Sequence, residues 1–72
     1  MPSISDRLKD LRKGKGLSQK ALALAVGMSE TGLQNYELER RSPTAEAVIK
    51  LADYFEVSTD YLLGRTDNPA RS

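Results

Sequence analysis

One stretch of this chain, residues 19–37, limits the possible folds more than any other part of the sequence. Its first apolar residues are spaced as on one face of a short helix: Leu22, Ala23 and Val26. Gly27 follows, where a left-handed residue commonly ends a helix. Ser29 then suits the N-cap of a second short helix, with Leu33 and Tyr36 on its inner face. The stretch therefore predicts two short helices joined by a tight turn, with Ala23 where the helices meet.

Helical patterns also cover the rest of the chain, and no strand pattern is present. Hydroxyl residues favoured at N-caps precede five helical segments: Ser3, Ser18, Ser29, Thr44 and Ser58. Glycines favoured at helix ends follow three of them: Gly14 and Gly16, Gly27, and Gly64. Val48, Leu51, Ala52 and Phe55 give the clearest amphipathic spacing, in the fourth segment. We therefore expect one compact all-α domain of five helices.

The composition argues against several classes of protein. The chain has 72 residues, with no cysteine and no histidine. Disulfides, thiolate metal sites and a Ser-His-Asp triad are therefore excluded. Gly14-Lys15-Gly16 lacks the remaining glycines of a phosphate-binding loop and follows no strand. We expect no catalytic activity, no metal site, no cofactor and no small-molecule ligand.

The sequence also lacks the signals of membrane insertion and export. No apolar run approaches the roughly 20 residues needed to span a bilayer. Residues 1–6 lack the basic and apolar regions of a signal peptide. These patterns predict a cytoplasmic protein with no membrane partner.

Charge is distributed unevenly along the chain. The net charge is only +1, but residues 1–20 hold six basic and two acidic groups, a balance of +4. Residues 21–72 hold five basic and eight acidic groups, a balance of −3. A basic end on a nearly neutral domain fits a local nucleic-acid contact, and it fits a solvated helix face equally well.

The third helical segment carries side chains that suit base recognition. If Leu33 and Tyr36 point inward, the helical period places four other residues outward: Glu30, Thr31, Gln34 and Asn35. Asn and Gln can bond adenine in the major groove, and Thr can touch a thymine methyl group. Glu can accept from the cytosine amino group, although its charge repels phosphate. The sequence predicts that these four residues contact DNA bases, whereas the alternative is a polar face that only contacts water.

Two other places suit contacts with the DNA backbone. The exposed amides at the start of the second helix, beside Ser18 and Gln19, form an anion site for a phosphate. The Gln19 side chain can donate to the same phosphate. Arg40 and Arg41, in the loop after the third helix, bring positive charge toward the backbone. Such contacts would position the protein without reading sequence.

Across about residues 4–66, the chain resembles the lambda-repressor-like helix-turn-helix family, which includes phage repressors and Cro. The shared positions are Leu11-Arg12, Gly16-Leu17-Ser18-Gln19, Leu22-Ala23, Val26-Gly27-Met28-Ser29, Leu33, Tyr36-Glu37, Pro43, Leu51-Ala52, Val57-Ser58 and Tyr61-Leu62-Leu63-Gly64. The resemblance implies a five-helix DNA-binding domain over residues 1–66, with the helix-turn-helix at helices 2 and 3. Residues 67–72 are expected to be a disordered tail.

The resemblance also implies roles for particular residues. The family's phosphate-clamping glutamine falls on Gln19, and its base-reading positions fall on the same four outward residues. Its ion pair between helices 1 and 3 falls on Arg12 and Glu37. The resemblance implies a transcriptional regulator, with a repressor favoured, that binds a palindromic operator as a dimer. The dimer region falls on the last helix: Tyr61, Leu62 and Leu63.

The chain departs from the family pattern at three places. Gly32 lies within the recognition helix, where it costs about 1 kcal/mol relative to alanine. Glu30 stands where many relatives have an uncharged polar residue. Leu38-Glu39 replaces the Asn or Gly that usually follows the helix, and the pattern does not predict how this helix ends.

An alternative use of the same fold is a protein-interaction module, binding a toxin or another regulator through the third helix. Acidic Glu30 and the acidic second half of the chain favour this alternative. Loss of DNA binding on changing Gln34 and Asn35, with the fold and protein partners intact, would distinguish the two functions.

Overall fold

The computed structural model describes residues 3–70, in which five helices and no strands are present. The helices are α1 (Ile4–Gly14), α2 (Gln19–Val26), α3 (Glu30–Glu37), α4 (Ala45–Phe55) and α5 (Thr59–Leu62). The all-α, five-helix prediction is confirmed. Within residues 3–70, no helix is both long and apolar enough to cross a membrane.

A hydroxyl side chain caps the start of every helix. In each case the side-chain oxygen accepts a hydrogen bond from the backbone N–H three residues later: Ser3, Ser18, Ser29, Thr44 and Ser58. At Ser3 the bond is reciprocal, because the Asp6 carboxylate accepts from the Ser3 N–H. All five predicted caps are present, so local sequence sets where each helix begins.

The helix ends also share one geometry. Each helix is followed by a left-handed residue: Gly16, Gly27, Glu39, Glu56 and Gly64. The residue after each of these donates its N–H to a carbonyl five positions back, with N–O distances of 2.8–3.1 Å. This is the Schellman arrangement. Three of the left-handed residues are the predicted glycines, but glutamate occupies the position after α3 and after α4.

The core draws on all five helices. Its fully buried leucines are Leu8, Leu22, Leu33, Leu51 and Leu62. Ala23 is also buried, and its carbonyl accepts the Met28 N–H at 2.8 Å across the turn between α2 and α3. A small side chain at Ala23 leaves room for the two helices to pack closely. The core therefore holds α3 against α1 and α2 and leaves its outer side free.

The C-terminal segment, which the sequence predicts to be a disordered tail, contacts α1 and the cap of α5. Asp67 forms an ion pair with Arg7 of α1, with 2.7 Å between Arg7 Nη2 and Asp67 Oδ1. The Ser58 N–H donates to the Pro69 carbonyl at 3.1 Å. The buried Arg7 guanidinium thus has its carboxylate partner within residues 67–70. Residues 71 and 72 lie outside the described residues.

Candidate nucleic-acid interface

Buried residues fix the orientation of α3. Leu33 and Glu37 lie one helical turn apart and are both buried, so the opposite side of α3 faces outward. Thr31 lies on that outer side and is exposed, and Asn35 lies one turn further on and is half-buried. The short polar side chains predicted to read bases therefore lie on one face of the helix.

Glu30 and Gln34 occupy the edge of this face and lie close to each other. Glu30 is exposed and Gln34 is half-buried, and Gln34 Nε2 lies 3.4 Å from Glu30 Oε2. Glu30 is also the first residue of α3, where a negative charge stabilises the helix dipole. Glu30 therefore has a structural role that its position alone explains.

Gly32 leaves part of the recognition helix without a side chain. A Cβ atom there would lie 2.9 Å from Ser29 Oγ, the oxygen that caps α3. The equivalent positions after the other caps all carry a Cβ atom: Asp6, Ala21, Ala47 and Tyr61. Capping therefore does not require glycine, and a small shift of Ser29 would accept alanine.

The start of α2 offers backbone amides to an anion. The Ser18 hydroxyl already accepts the Ala21 N–H at 3.0 Å. The backbone N–H groups of Gln19 and Lys20 have no acceptor among residues 3–70. They point along the helix axis at its positive end, which is the geometry of a phosphate site. Ser18 therefore serves the site as the cap of α2, while the following two amides remain free to donate.

A buried carboxylate connects the three N-terminal helices. Glu37 of α3 accepts from Arg12 of α1 through two bonds, Nε–Oε2 at 2.7 Å and Nη2–Oε1 at 3.1 Å. Glu37 Oε1 also accepts from Gln19 Nε2 of α2 at 3.1 Å. Arg12 Nη1 donates to the Leu17 carbonyl at 2.8 Å. The structure thus brings Arg12 and Glu37 together as an ion pair, and the same carboxylate holds the Gln19 amide.

This bond leaves Gln19 with a defined orientation. One N–H of its amide donates to Glu37, so the second N–H remains for another acceptor. Gln19 is half-buried and is the first residue of α2, beside the two free backbone amides. The side chain therefore lies at the predicted phosphate site, held from the inside by α3.

Arg40 and Arg41 lie in a turn that folds back on the end of α3. Their backbone N–H groups both donate to the Asn35 carbonyl, at 2.9 and 3.4 Å. Both side chains are exposed, and neither forms an ion pair within the described part of the chain. The turn that follows α3 therefore carries two exposed guanidinium groups without an ion-pair partner among the described residues. A family model described as helix-turn-helix matches residues 8–62 of this chain.

The chain belongs to the helix-turn-helix family. It is 38% identical over 65 residues to the HTH-type transcriptional regulator ImmR of Bacillus subtilis, covering 90% of this chain and 51% of ImmR. It is 39% identical over 62 residues to the cryptic phage CTXphi transcriptional repressor RstR of Vibrio cholerae, covering 86% of this chain and 55% of RstR. The chain thus spans about half the length of these relatives, which are a transcriptional regulator and a transcriptional repressor.

Solved helix-turn-helix structures show the same fold. The P22 c2 repressor in complex with synthetic operator 9T superposes with a TM-score of 0.81 at 28% identity, covering 88% of this chain and 96% of that chain. The DNA-binding domain of the same repressor in solution gives 0.78, also at 28% identity, with 97% and 96% coverage. The lambda-repressor-like fold inferred from the sequence is therefore confirmed.

The surface predicted to form a helix-turn-helix dimer needs one correction. Leu62 has 0% exposure because it completes the core of its own protomer, so it offers no surface to a partner. Tyr61 is half-buried beneath the Arg7 guanidinium, which lies 3.9 Å from its ring centroid. Leu63 is 44% exposed and shares a shallow apolar groove with Ile49, which is 52% exposed. The residues implied by the family resemblance include Leu63 but not Ile49, which stands on the outer side of α4.

Sequence reasoning also missed the polar residues that are buried. Arg7 and Ser5 are both buried in α1, at positions that the apolar pattern of that helix does not mark. No cluster of metal-ligating side chains is present within residues 3–70. The side chains gathered around α3 suit hydrogen bonding and anion contact.

Proposed function

We propose that this chain is a sequence-specific DNA-binding transcriptional regulator, with repression as its favoured activity. The main support for this proposal is the outer face of α3, where Thr31 and Asn35 lie opposite the buried Leu33 and Glu37. Such a face fits the major groove, which is wide enough for one helix. The likeness to the P22 c2 repressor–operator complex supports this use of the fold.

In this proposal, Thr31, Gln34 and Asn35 contact the DNA bases, and Glu30 lies at the edge of the base-contacting face. Asn35 and Gln34 carry the amide groups that bond adenine, and Thr31 suits a thymine methyl group. Phosphates are bound at two places, the start of α2 with Gln19 and the turn with Arg40 and Arg41. These contacts flank α3 on both sides, so they would fix its register in the groove.

We further propose that two copies bind a palindromic operator. A two-fold dimer would place two α3 helices about 34 Å apart, one turn of DNA. The exposed apolar side chains of Leu63 and Ile49 support a contact through the α4–α5 groove. Tyr61 lies at the edge of that region. A DNA target supports the proposed cytoplasmic location.

Selection from a random duplex pool tests the proposed function. We expect a recovered palindrome that binds at least about a thousandfold more tightly than bulk DNA at physiological salt. Asn35→Ala should weaken the selected site by about 1–3 kcal/mol and relax the preference at one base position. Asn68→Ala is the matched control, because it makes the same change in the C-terminal segment. An equal affinity of the wild type for all sequences would refute the proposal.

The alternative of a protein-interaction module rests on one observation, the exposed carboxylate of Glu30 at the edge of the α3 face. It predicts that Gln34→Ala with Asn35→Ala abolishes capture of a protein partner while DNA affinity stays at the level of bulk binding. The same double variant in the DNA assay therefore separates the two functions.

A further inference from the structure

The turn after the recognition helix holds a glutamate in a conformation that normally favours glycine. Glu39 has φ of +60°, in the left-handed region. A side chain with a Cβ atom is disfavoured there, and only Gly adopts this conformation routinely. Glu39 therefore occupies a position where glycine would be the less strained choice.

The Glu39 carboxylate binds the start of α1. Ser5 Oγ donates to Glu39 Oε1 at 2.8 Å, across 34 positions of sequence. Ser5 is buried, and its oxygen lies 2.9 Å from Ser3 Oγ, the cap of α1. Since a hydroxyl has one proton, Ser3 donates to Ser5, and Ser5 donates to Glu39. A chain of hydrogen bonds thus joins the α1 cap to the left-handed turn.

This contact lies directly beside the two free arginines. The next residue, Arg40, donates its N–H to Asn35 at the end of the recognition helix. Ser5, Glu39 and Arg41 line one small pocket, but Glu39 makes no ion pair with Arg41. Glu39 therefore holds the turn against α1, and its carboxylate does not neutralise the guanidinium groups of Arg40 and Arg41.

From this geometry we propose that Glu39 is a positioning residue for DNA binding. Its bond to Ser5 holds the α3–α4 turn against α1, so that the backbone that carries Arg40 and Arg41 is ordered before DNA contact. Ordering this backbone in advance reduces the entropy lost on binding. The inference rests on the proposed function, since it concerns the phosphate contacts of that same site.

Glu56 provides a matched control within the molecule. It is the other left-handed non-glycine residue, with φ of +56°, and it follows α4 in the same Schellman arrangement. Its side chain is exposed and makes no hydrogen bond or ion pair within residues 3–70. Glu39→Gly and Glu56→Gly remove the same charge and the same backbone strain, but only the first removes a tie to α1.

The test measures affinity for the selected operator and for an unselected duplex, over a range of salt concentrations. Glu39→Gly should weaken binding to both by about fivefold to tenfold, near the net value of one ordinary hydrogen bond. The slope of log affinity against log salt should fall by about 0.9, as for one lost phosphate contact. Glu56→Gly should keep the wild-type affinity and slope while its thermal midpoint rises.

Simple charge repulsion predicts the opposite sign, because removing Glu39 beside DNA should tighten binding. Ser5→Ala keeps that charge and should weaken binding as Glu39→Gly does. Glu39→Gln keeps an oxygen acceptor for Ser5 and should restore at least the wild-type affinity. Equal or tighter binding by Glu39→Gly, or a loss with Glu39→Gln as large as with Glu39→Gly, would overturn the proposal.

The two duplexes separate this proposal from the proposed function. If the wild type shows no sequence preference, the proposed function fails. Weaker binding of Glu39→Gly than of the wild type to the unselected duplex would still support the positioning role. If the wild type prefers its operator and Glu39→Gly binds equally well, only the positioning role fails. Absence of any DNA binding by the wild type overturns both.

Discussion

Two arginines of the same helix form ion pairs of the same length with opposite surroundings. Arg12 lies 2.7 Å from Glu37, whose side chain is 2% exposed, and Arg7 lies 2.7 Å from Asp67, whose side chain is 95% exposed. Both guanidinium groups are largely buried. The Arg12 pair therefore depends on a carboxylate shielded from water, whereas the Arg7 pair depends on one surrounded by water.

The two ion pairs therefore differ in role. The Arg12–Glu37 pair belongs to the proposed binding site, whereas the Arg7–Asp67 pair holds the C-terminal segment against α1. Glu37 receives bonds from α1 and α2 while it belongs to α3, so it joins the helix that would read bases to the one that would bind phosphate. Asp67 only fastens the C-terminal segment, and Arg7 gains further contact from the Tyr61 ring. A short distance alone does not show how much an ion pair contributes to stability. The burial of both partners is what distinguishes the two pairs.

The largest expected effect comes from removing the buried carboxylate. Glu37→Ala should lower the free energy of unfolding by about 3–5 kcal/mol, because Arg12 is left buried without its charge partner. Urea denaturation followed by circular dichroism measures this loss. Where Glu37→Ala does not fold, Glu37→Gln keeps the shape and one acceptor and should lose about 1–3 kcal/mol. A loss below about 1 kcal/mol for Glu37→Ala would make the two pairs equivalent.

A smaller loss is expected at the other arginine. Arg7→Ala should cost about 2 kcal/mol, since it removes both the buried stem and the cation–π contact with Tyr61. Arg7→Met retains most of the stem and should recover roughly half of this loss. The same denaturation series measures both variants. Equal losses for Ala and Met would assign the whole contribution to the charge and contradict this view of Arg7.

Asp67→Ala should have little effect on global stability. Its exposed carboxylate is screened by water, so we expect a loss of under about 1 kcal/mol. Amide hydrogen exchange at Ser58 should nevertheless speed up, because its N–H bonds the Pro69 carbonyl in the fastened segment. A loss approaching that of Glu37→Ala would show that burial of the partner is not what distinguishes the pairs.

The smallest effect is a difference in salt dependence. Double-mutant cycles give the coupling energy of each pair. At about 1 M salt, where the Debye length is about 3 Å, the Arg7–Asp67 coupling should fall toward zero. The Arg12–Glu37 coupling should keep most of its value because salt does not reach it. Parallel decline of the two couplings would contradict the contrast in burial.

The sequence predicted the local features of the fold well. Each N-cap is a hydroxyl residue that bonds a backbone N–H three positions away, and three helix ends are marked by glycine, so both signals are contained in a few neighbouring residues. The Arg12–Glu37 pair followed from the family resemblance. The helix end at Glu39 was missed, because its left-handed conformation occurs beside a contact with Ser5 from the distant start of the chain.

Other errors have the same origin in long-range contacts. Leu62 and Leu63 are both apolar and adjacent, and only packing against the other helices shows that the first is buried and the second exposed. The docking of residue 67 depends on Arg7, which lies 60 positions earlier. In the candidate site, periodicity placed Thr31 and Asn35 outward, but it did not show that Gln19 is held by Glu37.

We propose that α3, with the start of α2 and the Arg40–Arg41 turn, forms one surface that binds DNA. An NMR titration of the ¹⁵N-labelled protein with the selected duplex tests it most directly. We expect the largest amide shifts at residues 18–20, 30–35 and 39–41, with those of residues 65–70 nearly unchanged. Shifts centred on the C-terminal segment, with α3 unaffected, would contradict it.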